Sequence, residues 1–181
     1  MPKNVRGKAR DGDISQMIWA CFVGNKLGPI AFINSTVNSD VYIDILHNNL
    51  LSYLDALAHE GISGITFQQD NAWPHTSKKT SIFFYAAMIE HGFRAMEWQP
   101  NSPDMNLIEN LWVHLKRELH RRFPDTRTLR GPPHNIHGML RDRLMEVWWE
   151  IEEKMLDRLI DSNSSLKGWW RGGNFDSGHK L

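Results

Sequence analysis

A single cysteine among 181 residues leaves no internal disulfide to form, and Cys21, set inside an apolar run, reads as core packing in a chain suited to a reducing compartment. Long hydrophobic runs are also lacking. The longest, Met17 to Val23 and Ile82 to Ile89, fall far short of the roughly 18 residues that cross a bilayer, so no membrane partner is expected. Nor is there an excess of charge of either sign. The 21 Lys and Arg balance the 21 Asp and Glu, which removes any global electrostatic case for nucleic acid and leaves only local clusters. One such cluster, Lys3, Arg6, Lys8 and Arg10, precedes Asp11 and Asp13 without an amphipathic repeat. It does not read as a transit peptide, and residues 1–16 are expected to be basic coil. What is present, 41% hydrophobic and 23% charged residues in a chain of this length, suits one globular domain and excludes disordered and collagen-like classes.

Taken in order, Met17–Val23 is wholly apolar, Gly24-Asn25-Lys26 turns the chain, and Leu27–Ile33 returns it, which predicts a β-hairpin. Asn38, Ser39 and Asp40 offer caps to a helix whose Tyr42, Ile45, Leu46, Tyr53, Leu54 and Leu57 recur at helical spacing up to Gly61. Ile65 and Phe67 alternate with Thr66, Gln68 and Asp70, the period of a strand, before Asn71 and Pro74 break it. Thr76 and Ser77 then cap a second helix, with Ile82, Phe83, Ala86, Ala87 and Ile89 as its apolar residues. Phe93–Trp98 alternates as another strand, ended by Pro100 and Pro103. From about Asn106, Ile108, Leu111, Trp112, Leu115 and Leu119 form one helical stripe. Beyond the linker Arg127–Pro133, the residues Ile136, Leu140, Leu144, Val147, Trp148, Ile151, Met155 and Leu159 predict one long helix with an acidic outer face. Everything after Ser162 reads as a frayed tail. The domain proper is therefore expected over residues 17–161.

Asp70 stands where the strand pattern ends. In open α/β sheets ligands gather beyond the carboxyl ends of strands, so an acid there is well placed for chemistry, although Asp-Asn is also an ordinary turn pair. Glu109 falls some 60° from Trp112, at roughly 100° per residue, on the margin of its helix's apolar stripe. Lys116 shares that margin, and with Arg117, Arg121 and Arg122 makes the far half of the helix basic. Two carboxylates about 4 Å apart repel by roughly 4 kcal/mol at an effective dielectric near 20, so they share a proton or hold a cation. Oxygen-only ligands favour Mg²⁺ or Mn²⁺. Two such ions would clamp the attacking and leaving oxygens of a phosphodiester.

Gln68-Gln69-Asp70-Asn71-Ala72-x-Pro74-His75-Thr76, followed by Ser102-Pro103-Asp104-Met105-Asn106-x-Ile108-Glu109-Asn110-Leu111-Trp112, resembles the catalytic domain of mariner-superfamily DDE transposases. The likeness extends from about residue 17 to 160. It implies a ribonuclease-H-like mixed α/β sheet flanked by helices, two divalent metals bound by Asp70 and Glu109 as catalytic acids, DNA as partner through its transposon ends, and the nucleus as the place of action. His75, Lys78 and Lys79 become candidate DNA contacts with Lys116. His75 also reads as a turn residue capping the next helix, and the lysine pair as a solvated surface.

The departures from that pattern carry expectations of their own. The family's first aspartate lies on a central strand before the hairpin, and neither Asp11 nor Asp13 lies in strand-like sequence. Asp104 rivals Glu109 as the last acid, but beside Pro103 it reads as a helix N-cap. Leu107 stands where the family usually has proline. The resemblance thus implies a partial catalytic domain, without its first central strand and DNA-binding domain, inactive as it stands. A non-catalytic nucleic-acid-binding or interaction protein of transposon origin is the alternative, and a homodimer through the long C-terminal helix stays open. His134-x-x-His137 lacks the third ligand and the spaced glutamate of a zinc site. Trp148 lies on an apolar stripe, and for both Trp148 and Trp149 core packing is expected over base stacking.

Overall fold

A wholly apolar strand is stable only where both of its faces are covered. Strand β1, Met17–Val23, meets that condition: Ile18 through Phe22 are completely buried. The computed structural model describes residues 16–96, 107–130, 132–162 and 174–180. In it Ile18, Ala20 and Phe22 join one core with the helices of the C-terminal half, while Trp19, Cys21 and Val23 join a second core with those of the N-terminal half. The expected hairpin forms, with β2 at Lys26–Ile33 pairing antiparallel to β1 across a turn whose Gly24 has φ 58°.

The pairing slips between Ala20 and Phe22, where Cys21 faces the stretch containing Gly28. A side chain at Gly28 would sit 2.4 Å from Cys21 Sγ and 2.9 Å from its carbonyl oxygen, so only glycine allows the strands to approach this closely. Tyr53 closes the same junction from the helical side, its hydroxyl donating to the Lys26 carbonyl at 3.1 Å.

Helix α1, Ser39–Ile45, starts as expected, with the Asn38 side chain accepting from the Val41 amide at 2.9 Å. Six π-helical residues, Leu46–Leu51, join it to α2, Ser52–His59. The next strand, β3, is only Thr66–Phe67, and it pairs in parallel with β4, Arg94–Ala95. Asp70 therefore lies in the loop three residues past β3, not on the strand that the alternation predicted. Gln68 is buried on the face expected to be polar, so alternation overstated the strand's length.

Between β3 and β4 come the one-turn helix α3, Trp73–Thr76, and α4, Lys78–His91. Ser77 caps α4 as expected, but the helix buries Thr80, Phe84 and Ala87 and leaves Ile82 and Ile89 63% and 70% exposed. Apolar residues fill all of 82–89, so spacing alone had no basis for choosing a face. The choice comes from tertiary contacts. Thr80 Oγ1 donates to the Pro74 carbonyl at 2.6 Å, and Phe84 packs between Phe67 and Phe93 with ring centroids 4.9 and 6.2 Å away.

Helix α5, Leu107–Arg122, buries the whole predicted stripe. A short 3₁₀ turn, Pro124–Thr128, leads to α6, Pro133–Trp149, and α7, Glu153–Ser162. One long helix was expected there. The chain instead breaks at Glu150–Glu152 so that Ile151 and Leu156 both reach the core beneath α5, and no Gly or Pro announces the break. The apolar faces of both helices are used within this chain's own core. Of the tail expected to be frayed, Asn174–Lys180 forms β5, antiparallel on the edge of β1 opposite β2, giving the order β2-β1-β5, while residues 163–173 lie outside the described residues. Among the described residues no helix is long and apolar enough to cross a membrane.

Burial raises the Cys21 thiol well above its ordinary 9.0 and, with the neighbouring Cys21 and Glu60 charges, also raises the Tyr53 phenol. A group raised in the folded state contributes its full stability below its unfolded pKa and loses it as pH climbs toward the folded value. Stability is accordingly expected to decline from about pH 9 upward. Urea melts across pH 7–11 check this, and Cys21→Ala is expected to flatten the first part of the decline.

Candidate functional site

The loop after β3 is tied to α1 before it reaches its carboxylate. The Tyr42 hydroxyl donates to Gln69 Oε1 at 2.6 Å, and the Tyr42 ring lies 4.2 Å, centroid to centroid, from that of His75 on α3. Asp70 follows directly. Its Oδ1 accepts from the Ala72 amide at 2.9 Å and from His75 Nδ1 at 2.6 Å. An ionised carboxylate can only accept, so Nδ1 is the protonated nitrogen of that ring. The His75 side chain is 4% exposed and that of Asp70 46%. A buried imidazole and a turn amide thus aim a carboxylate at a cavity of about 1160 Å³.

Helix α6 supplies another wall of this cavity through His134, His137 and Arg141, and the loop Asn34–Val37 a third. Gln16 joins them to the sheet. It is 2% exposed, its Nε2 donates to the Met17 and Ile33 carbonyls at 2.9 and 3.0 Å, and its Oε1 accepts from Arg141 Nε at 3.2 Å and lies 3.3 Å from His137 Nδ1. Arg141 also donates to Asn34 Oδ1 and lies 5.5 Å over the Phe32 ring. Neither Arg141, Gln16 nor the exposed Trp73 was singled out from sequence. A signal did exist for Arg141, which extends His134 and His137 at positions i, i+3 and i+7 of one helix face.

Glu109, Lys78, Lys79 and Lys116 do not line this cavity. Glu109, exposed on the first turn of α5, does not line it. Its charge does reach Lys116, whose pKa is lowered by burial and partly restored by Glu109, so the two share a helix margin as expected. Lys79 pairs with Asp40 on the surface, and neither it nor Lys78 lines the cavity. Asp104, Asp11 and Asp13 lie outside the described residues. Among the described residues Asp70 is the only carboxylate lining the cavity, and no group of three His, Cys, Asp or Glu is placed to hold a metal ion. The described donors fit one ligand of a metal centre, not a complete one.

The relatives of the chain point one way. It is 31% identical to the Tcb2 transposase of Caenorhabditis briggsae over 153 residues, 84% of this chain and 50% of that protein. It is 31% identical to the Tc3 transposase of Caenorhabditis elegans over 146 residues, 81% of this chain and 40% of that one. The chain is homologous to the Tc1/mariner transposases. It spans about half or less of the length of these relatives. No family model matches. Among solved structures, the catalytic domain of Mos1 mariner transposase superposes with a TM-score of 0.61 at 15% identity, over 81% of this Tc1/mariner homologue and 68% of that chain. A Mos1 catalytic domain with Raltegravir and Mg superposes with a TM-score of 0.56, also at 15% identity, over 81% and 69%. The homologue has the ribonuclease-H-like fold of that domain.

Proposed function

We propose that this chain is a partial DDE transposase catalytic domain, built for metal-dependent cleavage and strand transfer at DNA phosphodiesters, and that it does not cleave DNA as it stands. The observation that carries this reading is Asp70, aimed by His75 and the Ala72 amide into the cavity of a chain homologous to transposases. In this reading Asp70 and Glu109 are ligands for Mg²⁺ or Mn²⁺, DNA is the partner and the nucleus the place of action. His75 positions Asp70, since its ring is buried against Tyr42, and Lys78, Lys79 and Lys116 are phosphate contacts outside the cavity.

The inactive reading rests on the described lining, where Asp70 is the only carboxylate and Glu109 is absent, whereas charge on a phosphodiester in transit must be neutralised from both sides. Purified protein is expected to leave supercoiled plasmid intact with Mg²⁺ or Mn²⁺. Nicking that disappears in Asp70→Asn would overturn the inactivity while supporting the transposase assignment. A second reading, a nucleic-acid-binding protein without catalysis, draws support from the Arg141 wall, and DNA binding without nicking in either metal is its signature.

A further inference from the structure

We propose that the cavity beside Asp70 takes an unpaired DNA strand, with one base stacked on Trp73 and a neighbouring phosphate held by Arg141; this rests on the DNA-acting reading above. Trp73 is the starting point. It is 70% exposed at the first position of α3 and lines the cavity, a placement at odds with the burial that folding gives most tryptophans. Its backing is fixed, because the next turn is held by the hydrogen bonds from His75 and Ala72 to Asp70 and from Thr80 to the Pro74 carbonyl. An exposed aromatic carried on a held turn in the lining of a concave site is a stacking platform, and every base offers it a face.

Arg141 supplies the second half of the argument. Its partners among the described residues are the side-chain oxygens of Gln16 and Asn34 and the Phe32 ring, all neutral, so its positive charge stays uncompensated there. Buried Gln16 spends both ends of its amide on holding that guanidinium and His137 against the sheet. His134, one turn before His137, and the hydroxyls of Ser35 and Thr36 add hydrogen-bonding groups to the lining. Asp70 repels phosphate, so the charge pattern sends the backbone along the α6 wall. The volume of about 1160 Å³ exceeds the roughly 300–1,000 Å³ of ordinary ligand pockets, which suits a short strand. A paired duplex covers the base faces that Trp73 would need.

The test is fluorescence anisotropy with labelled oligothymidine and a matched duplex, using the full chain in chelator-treated buffer so that no metal contributes. Trp73→Ala is expected to weaken single-strand binding roughly 5- to 100-fold, with Trp73→Phe retaining most of it and duplex binding unchanged by either. Arg141→Gln is expected to weaken single-strand binding and lower the salt slope by about one. Arg141→Lys, which keeps the charge, is expected to preserve that slope even if the melt shows some loss of stability. Single-strand binding untouched by Trp73→Ala, or reduced no more than duplex binding, would overturn the subsite. Duplex binding with no single-strand binding would overturn the subsite alone, whereas failure to bind either DNA would overturn the transposase reading with it.

Discussion

Trp148→Ala is expected to lower the free energy of unfolding by about 3–5 kcal/mol, the range for removing a large aromatic from a core. Trp148 is completely buried, lies 6.0 Å from Trp112 between ring centroids, and donates its indole N–H to the Gly28 carbonyl at 3.0 Å. That bond crosses from α6 to the hairpin at the point where β1, β2 and Tyr53 crowd around a residue with no side chain. The alanine variant therefore leaves a cavity and removes the donor that serves a buried carbonyl, costs that add. Trp148→Phe separates them, since it keeps most of the volume and loses the hydrogen bond, with an expected cost of about 1–3 kcal/mol. Urea denaturation at pH 7 reads both. Against a total of roughly 5–15 kcal/mol, the alanine variant stands near the edge of folding. Arg141 sits seven residues before Trp148 on the same helix, so slack at the Gly28 junction also reaches the cavity wall. Equal losses for the two variants would assign the effect to the hydrogen bond and refute the packing argument.

The parts of this fold legible in the sequence are those where one physical demand dominates. Ile108, Leu111, Trp112, Leu115 and Leu119 fit a single helical stripe, and all are buried. Met17–Val23 carries no polar residue because both faces of β1 are covered. The misreadings arise where the sequence satisfies two arrangements equally. Residues 82–89 are apolar around the whole circumference of α4, and the contact of Phe84 with Phe67 and Phe93, not periodicity, decides which face turns inward. The stripe from Ile136 to Leu159 continues through Glu150–Glu152, where the backbone bends without a helix breaker. At the site, Asp70 was legible through its motif, and the aim that His75 gives it shows only in three dimensions. Arg141 and Gln16 lie 125 positions apart in the chain, a separation that no local pattern reports.

Removal of Asn174–Lys180 is expected to destabilise the protein by about 3–5 kcal/mol, on the basis of several strand-pairing hydrogen bonds at roughly 0.5–1.5 kcal/mol each. The reasoning begins with β1. Its residues Ile18 to Phe22 are fully buried, and a strand in that position must have both backbone edges satisfied, because an unpaired amide or carbonyl away from water costs as much as a lost hydrogen bond. β2 serves one edge. β5 serves the other through the register Met17 to Lys180, Ile18 to His179, Ala20 to Asp176, Cys21 to Phe175 and Phe22 to Asn174. The family resemblance implied that a central strand was missing from this chain, and β5, from the far end of the sequence, lies on β1 and approaches β3. A chain ending before Asn174 leaves β1 with an open apolar edge, which recruits other chains. It is expected to melt lower, to elute partly as aggregate and to lose amide protection at Ile18–Phe22 in hydrogen exchange. Phe175→Pro, which places a proline opposite Cys21 in the strand pairing without shortening the chain, is expected to lower the melt in the same direction by a smaller amount. Unchanged protection of the β1 amides in both variants would mean that another segment satisfies that edge, and would refute the role assigned to β5.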